Sequence, residues 1–164
     1  MRIDLVMAFG CSLKEPILFF KNDYDFLSNF WISSVEYDGV VYNSSEHAYV
    51  AQKTLDQNLR DQIKAAITPG QVKRLGRNIA LRDDWEDIKI GIMYEILHAK
   101  FSQNAYLKAL LLATGNRYLE EGNTWSDTFW GVCNGVGENH LGQLLMLLRT
   151  HLNGTINDVE IFIN

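Results

Sequence analysis

From residue 45 onward the chain is a succession of helical patterns, and no strand pattern is interleaved with them. Leu59, Ile63 and Ile67 keep a helical period until Thr68-Pro69 breaks it. Thr68-Pro69-Gly70-Gln71 then restarts a helix, with a cap, proline at the first position and a glutamine placed for a capping box. A longer helix is predicted from Asp83, with Glu86 three residues on and a core stripe of Trp85, Ile88, Ile92, Ile96 and Ala99. Leu107, Leu110 and Leu111 mark another, ended by Gly115-Asn116, and Leu141, Leu144, Leu145, Leu148 and Leu152 line a last one from Asn139 to Asn153. Because strands and helices do not alternate, a doubly wound parallel sheet is excluded. The expected fold is mainly α, an orthogonal helical bundle with a small antiparallel β-sheet or hairpin near the N-terminus.

That hairpin is Val35-Glu36-Tyr37, Asp38-Gly39, Val40-Val41-Tyr42. Asp-Gly between such runs favours a type I′ turn, whose two central residues must accept positive φ. Upstream, Ile17 to Phe20 is a candidate buried strand. Downstream, Val159 to Ile163 suits an edge strand or a partner contact. A chain of 164 residues suits one domain, 1–164, with a sizeable core. With no signal peptide or apolar run of membrane length, Cys11 and Cys133 read as reduced thiols in a cytoplasmic protein with no membrane partner. A net charge of −5 argues against broad nucleic-acid binding but leaves room for a local phosphate pocket.

Two stretches concentrate chemistry. In Ser44 to Lys53, serines stand ready to cap a helix start. One face then carries Glu46, Tyr49 or Val50, and Lys53. Alone, this fits a solvated helix end as readily as a site. In Trp125 to Gly142, two indoles and a phenylalanine run into a glycine-punctuated loop before the last helix. Glycines there permit close approach to a ligand, and helix-start amides attract anions; a tight turn with packed aromatics is the alternative. No Walker motif occurs, and His47, His98, His140 and His151 are scattered without metal-ligand spacing.

Several uncommon clusters then agree in order and spacing. They are Phe26-Leu27-Ser28-Asn29-Phe30, Ser45-Glu46-His47 with Ala51-Gln52-Lys53, Gly76-Arg77, Trp85, Lys100-Phe101, Trp130-Gly131, Asn134 to Asn139, Leu141-Gly142 and Leu145-Met146. Together, over residues 18 to 152, they resemble the NADAR family, the YbiA-like N-glycosidases. The resemblance implies a mainly α fold and cleavage of bonds joining ribose to a nitrogenous base. It suggests riboflavin-pathway ribosylamine phosphates, or ADP-ribose on guanine in nucleic acid, as substrates. Ala48, Val50 and Cys133 depart from the family pattern, which bears on substrate choice.

Cleaving a ribose–nitrogen bond builds positive charge on the sugar, and a carboxylate beside the anomeric carbon stabilises that charge and can deprotonate the attacking water. Glu46 is the expected catalytic carboxylate, with Asp127 as ribose anchor or auxiliary acid–base group. Trp130 and Trp85 are candidates to wall the base together with Phe30. Lys53, Arg74 and Arg77 are candidate phosphate ligands, and Asn29, Asn134 and Asn139 candidate polar contacts. Such a hydrolysis needs no metal or redox cofactor. A non-catalytic ADP-ribose or NAD-binding module would use the same wall without needing Glu46.

Overall fold

The computed structural model describes residues 14–154, so Cys11 and the 159–163 segment lie outside the described residues. In chain order there is a 3₁₀ helix, Asn22–Leu27, and then the hairpin β1 (Val35–Tyr37) and β2 (Val40–Tyr42). Next come helices α1 (Ser45–Gln52), α2 (Gln57–Ala65), α3 (Pro69–Gly76), α4 (Trp85–Ser102) and α5 (Ala105–Ala113). The short strands β3 (Gly122–Asn123) and β4 (Val132–Cys133) precede the last helix, α6 (His140–Leu152). β1 and β2 pair antiparallel with Val35 opposite Tyr42, and both turn residues take positive φ, Asp38 at 51° and Gly39 at 71°. This is the type I′ geometry that Asp-Gly predicts. β3 and β4 add a small parallel pair that the sequence pattern did not announce.

Local chemistry sets most boundaries. Ser44 caps α1 by accepting the His47 N–H, and Thr68 and Gln71 form the full capping box of α3. The Asp83 start shifts by two residues. Asp84 is the N-cap of α4, but its carboxylate is held by the Arg82 guanidinium at 2.5 and 2.9 Å rather than by helix amides. α4 runs through the centre and packs against α6, α1, α5 and β1. Trp85, Ile96 and Ala99 of its predicted stripe are buried, whereas Ile88 and Ile92 sit half-buried at its margin. The Ile17–Phe20 strand is reduced to one bridge, Ile17 with Leu119, and Leu18 and Phe19 are exposed.

Helix α1 is enclosed by its neighbours: α2, α3, α4 and both strands of the hairpin pack against it. His47 is fully buried, with its ring nitrogens against Ser44 Oγ at 2.7 Å and the Ala66 carbonyl at 3.1 Å. α3 crosses α1 so closely that a Cβ on Gly76 would lie 2.7 Å from a Val50 methyl. Among the described residues, no helix is long and apolar enough to cross a membrane.

Candidate functional site: a carboxylate pocket between α1, α3 and the 121–130 loop

A pocket of about 880 Å³ opens beside α1, a volume suited to a nucleotide-sized ligand. α1 contributes Glu46, Tyr49 and Val50, and Lys53 follows at its C-cap, so the face expected from helical spacing lines one wall. The start of α1 is fixed from outside by the Glu46 N–H, which donates to the Asn29 carbonyl at 3.0 Å. The Ser28 carbonyl, one residue earlier, accepts from the fully buried Lys100 ammonium at 2.8 Å. The backbone that carries Asn29 and Phe30 is thus anchored to α1 and α4 together.

Electrostatics single out Glu46. Burial pushes its carboxyl up to about 7; Lys73 and Lys53 pull the other way, and Asp127 adds to the rise. Lys53 is itself lowered by burial, with Glu46 opposing that fall, and its ammonium sits 5.6 Å from the Tyr49 ring centre. Lys73 on α3 and Arg77 at its C-cap, one helical turn apart, both reach the pocket. At the mouth the Lys73 ammonium stands 5.5 Å from the Phe30 ring centre and 5.0 Å from that of Trp125. Trp130 lines the pocket and meets the Tyr49 ring edge-on at 5.5 Å.

Asp127 also reaches the pocket, but one of its oxygens is used to accept the Trp130 N–H at 2.9 Å. The loop that carries it is organised by the buried Asn123. Its amide donates to the Asp127 carbonyl at 2.7 Å and accepts from the N–H groups of Trp125 and Asp127. Two buried oxygens of the pocket wall, Asn29 Oδ1 and Glu121 Oε2, have no hydrogen-bond partner among the described residues. Native interiors rarely leave such groups unpaired, and a ligand would satisfy them.

Of the residues selected from sequence, the pocket gathers Glu46, Asp127, Asn29, Phe30, Lys53, Arg77 and Trp130. Four others lie elsewhere. Arg74, about 100° around α3 from Lys73, lines a separate cleft with Leu59, Ile67 and Ile79. Trp85 is buried behind Tyr49, ring centres 5.1 Å apart, and supports the wall without facing the cavity. Asn134, at φ 52°, forms with Gly135 the tight turn between Cys133 and Val136, exposed and away from the pocket. Asn139 is buried and left-handed, and its side chain makes no cap. Its amide instead accepts the Glu121 N–H at 3.1 Å and donates to the Leu119 carbonyl at 2.9 Å.

The glycine-punctuated loop is likewise no anion cradle. Amides from 138 to 141 donate to the carbonyls of Thr128, Gly131, Phe129 and Trp130, so those at the N-cap and the first two positions of α6 are already used. A Cβ on Gly137 would lie 2.1 Å from the Gly131 oxygen, and one on Gly142 would lie 2.2 Å from that of Leu119. These glycines let backbone meet backbone. Sequence reasoning missed Lys73, Met93, Trp125 and Glu121 as pocket residues. Lys73 carried a signal in its position four residues before Arg77, and Trp125 in opening the aromatic stretch that runs to Gly142.

The NADAR domain pattern matches residues 18–153. The chain belongs to the NADAR domain family. N-glycosidase YbiA of Shigella boydii is 44% identical over 135 residues, covering 80% of this chain and 84% of its own. A riboflavin biosynthesis protein of Vibrio vulnificus is 39% identical over 145 residues, which are 85% of this chain but 39% of that longer protein. The NMR structure of Escherichia coli YbiA superimposes with a TM-score of 0.77 at 36% identity, covering 92% of both chains. The mainly helical fold with its N-terminal hairpin is therefore the fold of a NADAR N-glycosidase.

Proposed function

We propose that this N-glycosidase hydrolyses the bond between a phosphorylated ribose and a nitrogenous base, with riboflavin-pathway ribosylamine phosphates as its substrate class and the cytoplasm as its place of action. The observation that carries the reading is the placement of Glu46. A half-buried carboxylate faces a nucleotide-sized cavity between an aromatic wall, Tyr49 and Trp130, and the cations Lys53, Lys73 and Arg77. Flat bases pack on aromatic faces, and phosphate pairs with lysine and arginine, the latter in bidentate fashion.

In this arrangement the ribose carbon that bears the base lies beside Glu46. As the carbon–nitrogen bond lengthens, positive charge spreads over the ring, and the carboxylate stabilises it. Glu46 then takes a proton from the water that attacks the same carbon. A carboxyl raised to about 7 is a stronger base than an ordinary one, yet is still largely ionised in mildly alkaline solution. Asn29 and Asp127 are placed to hold ribose hydroxyls.

The exposed Phe30, Trp31 and Trp125 at the pocket mouth favour a second reading, ADP-ribose on guanine, in which the rim stacks a further base. Incubation with ribosylamine phosphates, ADP-ribosylated guanosine and ADP-ribosylated DNA, with products identified by mass, decides between them. Turnover of the first alone supports the ribosylamine reading; turnover of the guanine conjugates alone overturns it in favour of the second. Binding of ADP-ribose with no turnover of any substrate would identify a non-catalytic module.

A further inference from the structure

Glu121 faces the same pocket from the segment that leads into β3, and no step of the hydrolysis at Glu46 uses it. Its backbone is fixed on both sides. The N–H donates to Asn139 Oδ1 at 3.1 Å, and the carbonyl accepts the Val132 N–H at 3.0 Å. Gly131 packs so tightly on that carbonyl that a Cβ there would lie 2.2 Å from the oxygen. The side chain therefore leaves a rigid platform, and its buried Oε2 has no hydrogen-bond partner among the described residues.

Such an atom is costly as half of a bare carboxylate and far less so as part of a neutral acid. The charged groups around it are Asp127 and Glu46 on one side of the balance and Lys73 and Lys21 on the other. The buried Lys100 of α4 lies within its field as well. Burial dominates and pushes the Glu121 carboxyl up to about 7, with Asp127 the first of the charges that add to it. Glu46 differs in having Lys73 and Lys53 as its foremost charged neighbours, which favours the ionised form there. Both carboxyls are raised to about 7, and what separates them is their setting. Glu121 has the buried, unpartnered oxygen and Asp127 as its foremost charged neighbour, whereas Lys73 and Lys53 come first around Glu46, so the acid falls to Glu121 and the base to Glu46.

We infer that Glu121 is the general acid that protonates the departing base while Glu46 takes the proton of the attacking water. This rests on the N-glycosidase reading of the pocket. The carbon–nitrogen bond breaks with its electron pair on nitrogen, and that nitrogen takes the Glu121 proton. The water oxygen bonds to the ribose carbon, and its proton goes to Glu46. One water is consumed, and the two carboxyls exchange protonation states and reset through solvent.

A substrate pair separates acid from base. Ribosylamine phosphate has a leaving group that needs a proton, whereas p-nitrophenyl riboside 5-phosphate expels a phenolate that does not. Glu121→Gln should lose roughly 10²–10⁴-fold in kcat on the first and stay within about threefold of the parent on the second. Glu46→Gln should fall on both. On ribosylamine phosphate the alkaline limb of the parent's pH profile, where the acid loses its proton, should vanish in Glu121→Gln. Should that variant melt well below the parent, Glu121→Ala with added imidazole near neutral pH, whose imidazolium form carries a proton to donate, replaces it, and rescue of at least about tenfold on ribosylamine phosphate is expected. Equal loss on both substrates, loss on neither, or no rescue would overturn the assignment while leaving the N-glycosidase reading in place. A parent that turns over neither compound would overturn both.

Discussion

Glu46 is held in a protonation balance that has a thermodynamic signature. Its carboxyl rises from 4.5 to about 7 on folding, chiefly by burial. The native state therefore binds more protons than the unfolded chain between those values. The contribution of Glu46 to stability is present below 4.5 and is lost as pH rises through 7. Glutamine does not titrate. Melting curves should thus place Glu46→Gln progressively above the parent from about pH 4.5 to about pH 8, by at most about 3 kcal/mol at ~1.36 kcal/mol per unit. A variant less stable than the parent at the alkaline end would mean that Glu46 is held mainly by its cations. The two arginines of the 74–77 segment give a second contrast. Arg77→Ala should raise KM for phosphorylated substrate about tenfold or more, and Arg74→Ala, in its separate cleft, should leave it unchanged. A KM shift of similar size in both would remove Arg77 from the pocket's phosphate contacts.

At the scale of the elements, the α1–α3 crossing sets the distance between the carboxylate and the phosphate cations. Gly76 touches Val50 with no room for a methyl group, so Gly76→Ala must push α3 outward or distort α1. Lys73 rides on α3 with Arg77 at its C-cap, and Glu46 on α1. Kinetics of Gly76→Ala should show KM raised more than kcat is lowered, and equal effects on both would place the damage in α1. The polar face of α1, the hairpin turn and the capping box of α3 were legible because each is decided over a few neighbouring residues. The 117–142 region was not. Glu121 is held by Val132 and Asn139, partners 11 and 18 residues away, and no local pattern encodes such pairings. Asn134-Gly135 did carry a local signal, since Asn-Gly is a favoured type I′ pair, but the glycines around it read equally as a ligand cradle. Trp85 is the opposite case. Its place in an apolar stripe marked it as core, and the core is where it lies, so Trp85→Ala should cost about 3–5 kcal/mol in denaturant unfolding.

Across the whole molecule, acidic groups outnumber basic ones, and the cations of the pocket act locally. With a net charge of −5, binding of a small phosphorylated substrate should weaken only slightly with salt, because few phosphates are contacted. A steep slope in a titration from about 50 to about 200 mM salt would point instead to an extended nucleic-acid surface. The order of helices and the N-terminal hairpin could be read from periodicity and turn chemistry. The joining of the Ser28–Phe30 loop, α1, α3 and the 121–130 loop around one cavity could not, because it depends on contacts such as Lys100 to the Ser28 carbonyl across 72 residues. The measurement that bears most directly on the site is product formation from ribosylamine phosphate by the parent and Glu46→Gln at matched folded concentration, with ligand affinity measured on both. Turnover should fall by at least roughly 10²-fold, while affinity stays close to the parent's because the aromatic wall and cations remain. Near-parental turnover by the glutamine variant would contradict Glu46 as the catalytic carboxylate.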